Sequence, residues 1–174
     1  MQAGWRGMEA TDVAAVKALG DAVHRDYPER GEVLAERYAL YPTGCRVLET
    51  AGGAVQGYVV SHPWREVPPP LDTLLGALPT QPMAYYLHDL VVAPSARGDG
   101  AAARVLAQLI DEAYGAGFPS FLLTAVGHSH HFWQKQGFVP VEPVSSVQAE
   151  ALASYGSTAR LLRHPSFGKR PFCP

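Results

Sequence analysis

The sequence predicts a mixed α/β (or α+β) fold with a partly parallel sheet, formed as a single domain over residues 1–174. Two patterns predict it: the first half contains a β-hairpin signature, and in the second half strand-like runs alternate with helical patterns. Composition supports the same conclusion, because 47% hydrophobic and 17% charged residues suit a globular chain with one sizeable core.

The N-terminal region predicts one short strand and two helices. The strand is expected at residues 3–8, and the first helix follows a candidate N-cap at Thr11 or Asp12. Four apolar residues at helical spacing define the buried face of this helix: Val13, Val16, Leu19 and Val23. A second helix is expected from just after Pro28 to about Ala39.

A β-hairpin is predicted over residues 45–64, with two β-rich runs joined at Ala51-Gly52-Gly53. The segment 63–82 that overlaps its end is rich in proline and is not expected to be regular throughout. A loop of this length is typical of a lid, a binding loop or a mobile segment. Its larger apolar residues would cover either a substrate or the core: Trp64, Leu71, Leu74 and Leu75.

The second half of the chain predicts alternating strands and helices. Strands at 83–93 and 118–126 flank a helix. Six apolar residues mark one face of that helix: Ala102, Val105, Leu106, Leu109, Ile110 and Ala113. A short helix over 128–136 follows, then a strand that begins within 138–144. The last strand is expected within 157–165, where it would return to pair with the preceding one.

Charge and cysteine usage exclude several classes of protein. The formal net charge is -2 and no stripe of Lys or Arg is present, which argues against nucleic-acid binding. Cys45 and Cys173 lie far apart and outside any C-x-x-C pair, so free thiols in a reducing compartment are expected. The N-terminus lacks a signal-peptide pattern, and no apolar run approaches the ~20 residues that span a bilayer. We therefore expect a cytoplasmic protein with no membrane partner.

A glycine-containing loop, Arg97-Gly98-Asp99-Gly100-Ala101-Ala102, stands between a predicted strand and a predicted helix. Backbone N–H groups at a helix N-terminus are unpaired and carry partial positive charge. Glycine lets an anion approach them closely because it has no Cβ. The loop is therefore a candidate phosphate-binding site, and an ordinary tight turn is the alternative.

Two common phosphate-binding motifs do not explain this loop. A P-loop is excluded because the Lys-Ser/Thr pair is missing. The dinucleotide fingerprint G-x-G-x-x-G/A is formally met by Gly98, Gly100 and Ala103. However, residues 94–97 separate it from the strand, and the next strand ends without a carboxylate. A dinucleotide-dependent oxidoreductase therefore remains a weak alternative.

A third interpretation rests on a family resemblance. Val92-Ala93-Pro94, followed by residues 97–102, resembles the acetyl-CoA signature of the GNAT superfamily of N-acetyltransferases. About thirty residues later, Phe132-Trp133-Gln134-Lys135-Gln136-Gly137-Phe138 is similar to that family's F-Y-x-K-x-G-F segment. The resemblance covers roughly residues 50–165, and two motifs at the family's spacing are far more specific than either alone.

The resemblance implies a GNAT fold: a central mixed, mostly antiparallel sheet of about seven strands, splayed at the cofactor site and flanked by helices. It also implies acetyl-CoA as cosubstrate, with the loop amides on the pyrophosphate and the preceding strand's backbone on the pantetheine arm. The residues expected to contact this cosubstrate are Leu90, Val91, Val92, Arg97, Gly98, Asp99, Gly100, Ala101, Ala102, Phe132 and Trp133.

His88 and Asp89 are the candidate catalytic residues. Residues 87–92 are similar to the L-H-x-L-x-V strand of arylalkylamine N-acetyltransferases, in which the matching histidine removes a proton. A base is useful because an alkyl ammonium has a pKa near ~10.4, and histidine titrates near neutrality. A core histidine bonded to backbone is the alternative. Strand alternation places Asp89 on the opposite face from His88.

Three positions depart from the family's pattern. Trp133 stands where many relatives have the tyrosine that protonates the departing thiolate, and an indole N–H cannot do this. Val126 replaces a common asparagine, and Asp99 stands where many relatives carry Lys or Arg. The thiolate then leaves without an acid, or another group serves: Tyr85, Tyr86 or His130. We expect Trp133 to pack against the cofactor or the core.

The remaining polar residues are less specific. His128, His130 and His131 lack an acidic or cysteine partner, so we expect surface histidines and no metal site. The first two helices would be acidic, which suits a cationic amine or a solvated face: Asp21, Asp26, Glu29, Glu32 and Glu36.

The predicted reaction is direct acetyl transfer from acetyl-CoA to a primary amine in a ternary complex. A small-molecule amine is the leading acceptor, and a peptide or protein amine comes second. The alternatives are a CoA-binding sensor without catalysis, motivated by Trp133 and Val126, and transfer of a longer acyl group. A homodimer is left open.

Overall fold

A seven-stranded sheet forms the centre of the computed structural model, which describes residues 3–167. The strands are β1 (Gly4–Gly7), β2 (Cys45–Glu49), β3 (Val55–Trp64), β4 (Ala84–Val92), β5 (Phe121–Ala125), β6 (Val139–Pro140) and β7 (Arg160–Arg163). Their order is β1-β2-β3-β4-β5-β7-β6. The β4–β5 pair is parallel and the other neighbouring pairs are antiparallel. The predicted mixed, mostly antiparallel sheet is confirmed.

Five α-helices flank the sheet in the described part of the chain. They are α1 (Val13–Val23), α2 (Gly31–Leu40), α3 (Ala101–Gly115), α4 (His130–Lys135) and α5 (Ser146–Ala153). The first four lie where the sequence predicts them, whereas α5 was not predicted. Between residues 3 and 167, no helix combines the length and the apolar character needed to cross a bilayer.

The two faces of the sheet carry different helices. On one face, Val105, Leu106 and Leu109 of α3 pack into a buried cluster with strand residues such as Phe121. On the other, Val16 of α1 packs in a cluster with residues of α2, β2 and β3. Burying each of these side chains stabilises the fold by roughly 1.5–3 kcal/mol, which is why the apolar spacing identified the helices.

Two local details differ from the prediction. A 3₁₀ turn at Ala10–Asp12 precedes α1, so the chain starts to coil earlier than expected. Asp12 nevertheless acts as a capping residue, because its Oδ2 accepts the N–H of Glu9 at 2.8 Å. The predicted strand near 138–144 is reduced to Val139–Pro140, and β7 does return to pair with it. Cys45 is buried and free, and Cys173 lies outside the described residues.

The sheet opens between β4 and β5. Parallel pairing joins Tyr85–Leu87 to Phe121–Leu123, whereas residues 90–92 of β4 pair only with β3 in the described register. One edge of the β4 backbone is therefore left for a ligand just beyond Leu87. This confirms the predicted splay.

Candidate active site

A β-bulge centred on His88 lies at the point where the sheet opens. In the β3–β4 register, Val60 faces Asp89 and Ser61 faces Leu87, so His88 is the extra residue. Leu87 and Leu90 consequently both pack against the cluster on the α3 face. His88 and Asp89 both contact the connection between α1 and α2. The expectation that they point to opposite faces is wrong, because the bulge interrupts strand alternation.

His88 is paired with a largely buried glutamate, Glu29. Its Nε2–H donates to Glu29 Oε1 at 2.8 Å, and the two side chains are 1% and 13% exposed. The other ring nitrogen, Nδ1, is buried and has no hydrogen-bond partner among the described residues. A carboxylate on Nε2 accepts the proton of that nitrogen, so in the neutral tautomer the lone pair lies on Nδ1. The arrangement is that of an oriented proton acceptor.

Asp89 has both carboxylate oxygens engaged. Oδ1 lies 3.0 Å from His24 Nε2 at the end of α1, and Oδ2 accepts the hydroxyl of Tyr58 at 2.5 Å. Burial opposes ionisation of Asp89, yet the bonds from His24 and Tyr58 keep its pKa below the usual value. The bond to Asp89 raises the pKa of His24, while burial raises the pKa of Tyr58.

A small cavity lies between these groups and α1. It has a volume of about 20 Å³, which is room for about one water molecule. Its lining includes Gly20, His24, Tyr27, Glu29, Tyr58 and Asp89. The sequence did not identify His24 or Tyr58, and it listed Glu29 only among the acidic residues that suit a cationic amine or a solvated face.

The glycine loop adopts the backbone that its residues favour. Gly98 has φ +100° and Gly100 has φ +78°, both in the left-handed region that side chains disfavour. No heavy atom lies within 4 Å of a Cβ built on Gly98. Arg97 Nε donates to Val92 O at 2.9 Å and so attaches the loop to the end of β4. The loop therefore leaves room beside the N-terminus of α3, as a phosphate group requires.

Asp99 occupies some of the polar groups at the start of α3. Its Oδ1 accepts the N–H of Ala101 at 3.0 Å, so one amide of the first helical turn is already bonded. Arg104 donates from Nη1 to Asp99 O and places its Nη2 3.8 Å from the Asp99 carboxylate. The amides of Ala102 and Ala103, in the first turn of α3, lack intrahelical partners by the geometry of a helix start.

The two aromatic residues of the second motif are placed differently. Trp133 is 6% exposed and lies in the α3-side core, where its ring centroid is 5.7 Å from that of Phe138. Phe132 packs on the same cluster but is partly exposed. The indole of Trp133 thus serves the core, because its neighbours surround it. Of the two rings predicted to contact the cofactor, only that of Phe132 is partly exposed to solvent.

The proline-rich loop is tied to the fold along its length. On one side its strap, which we define as residues 71–76, bonds to α2: Arg37 Nη2 donates to Thr73 O, and Glu36 accepts the amides of Leu75 and Gly76. On the other side, Tyr155 donates to Pro69 O at 2.9 Å. Trp64, Leu71 and Leu75 belong to the core cluster on this side, which favours the core over the substrate as what they cover.

The three histidines near α4 do not share a binding site. His128 and His131 are exposed, and His130 Nδ1 donates to Gly127 O at 3.2 Å. Residues 3–167 contain no group of three or more His, Cys, Asp or Glu side chains placed to hold a metal ion.

Comparison with known proteins identifies the family. The sequence matches the profile of the acetyltransferase (GNAT) family over residues 16–138, which is most of the chain. The chain belongs to the GNAT family. No curated protein matches the sequence at a significant level.

Solved structures share the GNAT fold with this chain. N-acetylglutamate synthase from Neisseria gonorrhoeae, complexed with coenzyme A and N-acetyl-glutamate, has TM-score 0.68 and 17% identity over 94% of this chain and 35% of its own. The GphF GNAT-like decarboxylase with isobutyryl-CoA has TM-score 0.72 and 17% identity over 92% and 98%. The NatC complex bound to Gag peptide and CoA has TM-score 0.71 and 16% identity over 95% and 99%.

At these identities the likeness concerns the fold. The chain spans about a third of the length of the N-acetylglutamate synthase and nearly all of the other two matched chains. The acetyl-CoA cosubstrate predicted from the sequence agrees with the coenzyme A or acyl-CoA in all three structures. Two of the three also contain a second ligand, which is N-acetyl-glutamate in one and a peptide in the other.

Proposed function

We propose that this GNAT protein transfers an acetyl group from acetyl-CoA to the primary amine of a small molecule, with His88 as the general base. The observation that carries the proposal is the bare Nδ1 of His88 at the bulge, held in orientation by Glu29 at 2.8 Å. His88 follows Leu87, the last residue of β4 that pairs with β5, so this nitrogen lies where the free edge of β4 begins. A base at this position removes a proton from the amine as it attacks.

The residues present suit the cosubstrate. The backbone of Leu90, Val91 and Val92 beyond the β5 pairing would pair with the pantetheine arm, although Val92 O already accepts from Arg97 Nε. The amides of Gly98, Gly100 and Ala102 would face the pyrophosphate. Arg97 supports this loop through Val92. Acetyl-CoA supplies an activated acyl group with a thiolate leaving group. Among the aromatic residues, Phe132 is the proposed contact.

Asp89 acts as a positioning residue in this scheme. Both of its oxygens are committed to His24 and Tyr58, so it holds the end of α1 against the bulge. It thereby fixes the connection that carries Glu29. Its contribution to the rate is then indirect, through the orientation of His88.

The departing thiolate needs no acid from the chain. Burial raises the pKa of Tyr86 to about 12 and raises that of Tyr85 further, so neither phenol is an effective proton donor. The Nδ1–H of His130 is bonded to Gly127 O and its Nε2 is buried, so the ring presents no exposed N–H to the thiolate. A thiol with pKa near ~8.5 departs readily as the thiolate.

The test is the pH dependence of kcat/KM for His88→Gln against the wild type, across small alkylamines and a short peptide amine. We expect a fall of about 10²–10⁴-fold and loss of the acidic limb that reports the base. The control is His131→Gln, an exposed histidine of α4. An unchanged profile removes His88 as the base. Turnover of the peptide amine alone would indicate a peptide acceptor. Binding of acetyl-CoA without turnover of any amine would indicate a CoA-binding sensor.

A further inference from the structure

His88 belongs to a buried polar cluster on the same side of the sheet as Glu29. Its members are Arg37 of α2, His62 of β3 and His88 itself. The first two are 0% exposed and the side chain of His88 is 1% exposed. The ring centroids of His62 and His88 are 6.3 Å apart. Burial lowers the pKa of His62, and the nearby charges of His88 and Arg37 lower it further. The three residues therefore share one interior region.

The strap closes over this region from the α2 side. Arg37 Nη2 donates to Thr73 O at 2.8 Å, while Glu36 accepts the amides of Leu75 and Gly76 at 2.7 and 2.8 Å. Asp72 and Gly76 have φ +56° and +73°. Polar contacts thus hold the strap to α2, while Leu71 and Leu75 pack against the core cluster beneath it.

Each member of the cluster has one polar atom without a hydrogen-bond partner among the described residues. These atoms are Arg37 Nε, His62 Nε2 and His88 Nδ1. Buried polar atoms in native proteins are nearly always hydrogen-bonded, to protein or to ordered water. Three unsatisfied atoms in one interior region are therefore positions at which ordered water or a polar ligand would bond.

The polarity of the three atoms can be assigned. Arg37 Nε–H is a donor, because a guanidinium has no acceptor. His62 Nδ1–H donates to Pro63 O at 3.0 Å, which leaves a lone pair on Nε2. Burial lowers the pKa of His62 to about 3, so the ring stays neutral. His88 Nε2–H donates to Glu29, which leaves a lone pair on Nδ1. The cluster therefore presents one donor and two acceptors.

In the proposed function, the attacking amine donates to His88 Nδ1. The remaining pair, Arg37 Nε–H and His62 Nε2, requires a group that accepts one hydrogen bond and donates one. A hydroxyl does both. An ammonium only donates and would face Arg37, whereas a carboxylate only accepts and would face the lone pair of His62. We propose that the buried polar cluster is the acceptor subsite and that it selects a primary amine bearing a hydroxyl group.

This inference rests on the proposed function, and one experiment separates the two. Acetylation by the wild-type protein is measured for 2-aminoethanol against propylamine and for 3-aminopropan-1-ol against butylamine. 1,2-Diaminoethane and 3-aminopropanoate serve as charged comparators. We expect kcat/KM to favour the hydroxyl member of at least one pair by about 10-fold or more. Ratios near one in both pairs, or preference for a charged comparator, overturn the subsite alone. No turnover of any amine overturns the proposed function and the subsite with it.

Variants locate the selectivity. His62→Phe removes the acceptor nitrogen, and we expect the ratio within the favoured pair to fall towards one. His131→Phe changes an exposed histidine and should keep the ratio. Should His62→Phe fail to fold, Arg37→Lys replaces the Nε–H donor while keeping a cation beside Glu36. A merely structural role would lower both members of a pair equally, and that result would overturn the assignment.

Discussion

His24 Nε2 lies 3.0 Å from Asp89 Oδ1, and this bond joins the end of α1 to the bulge of β4 across 65 residues of sequence. The bond positions the segment that carries Glu29, whose carboxylate in turn accepts from His88. Two histidine–carboxylate pairs therefore meet at one bulge. The His88–Glu29 pair is largely buried, whereas the His24–Asp89 pair reaches the surface, with the His24 side chain 30% exposed.

The His24–Asp89 bond predicts a pH-dependent stability. The bond to Asp89 raises the pKa of His24; burial opposes this, the charges of Asp89 and Glu29 add to it, and Arg97 lowers it. A raised folded pKa gives stabilisation that is fully present below the unfolded value of about 6.5 and is lost as pH rises through the folded value. We expect His24→Gln to lower the free energy of unfolding by about 1 kcal/mol at pH 6 and by less at pH 9.

Urea unfolding of both proteins across this pH range measures the difference. His131→Gln removes an exposed histidine from α4 and serves as the control. A difference that stays constant from pH 6 to pH 9 would show that His24 contributes through packing and not through its charge.

The second prediction concerns Gly100. Its φ of +78° is strained for any other residue, and it precedes the first turn of α3. Gly100→Val should distort the loop and weaken binding of acetyl-CoA by at least about 10-fold, which corresponds to the lower end of the 1–3 kcal/mol that such strain costs. Calorimetric titration with coenzyme A measures the affinity.

Gly53 provides a matched control. It has φ +84° in the turn between β2 and β3, and a Cβ there would meet no heavy atom within 4 Å. Gly53→Val introduces similar strain away from the glycine loop and should leave the affinity unchanged. Equal affinity for all three proteins would mean that the cosubstrate does not depend on this loop.

The sequence predicted the elements that depend on local chemistry. Gly98 and Gly100 indicated a loop without side chains at the start of a helix, and both have positive φ there. The spacing of Val105 and Leu109 identified the buried face of α3. These features can be predicted because backbone preference and apolar spacing depend on residues close together in the sequence.

The site itself could not be predicted in this way. The bulge at His88 follows from the β3–β4 register, and nothing in the run Tyr85–Val92 announces it. Glu29 and His88 are 59 residues apart, so only the fold brings them together. By contrast, α5 was missed although Ser145 and Gln148 form a capping box that the sequence displays. The apolar residues of α5 do not form one stripe, so the apolar periodicity that identifies amphipathic helices is missing there.

The last prediction concerns Asp72, which fastens the strap to α2. Its Oδ1 accepts the N–H of Arg30 at 2.7 Å and its Oδ2 accepts Arg30 Nε at 3.0 Å. Asp72→Gly removes both bonds while tolerating the φ of +56°. Because the pair is exposed, we expect the global free energy of unfolding to change by less than about 1 kcal/mol.

The strap should nevertheless open more often in Asp72→Gly. Hydrogen exchange at the amides of Leu75 and Gly76, both bonded to Glu36, should accelerate relative to the wild type. Glu112→Ala, which breaks the exposed pair with Arg46 on β2, is the control and should leave exchange in the strap unchanged. Unchanged exchange in Asp72→Gly would mean that Glu36 and Arg37 hold the strap without Asp72. Faster exchange with unchanged global stability would show that access to the buried polar cluster is governed locally, at the Arg30–Asp72 contact.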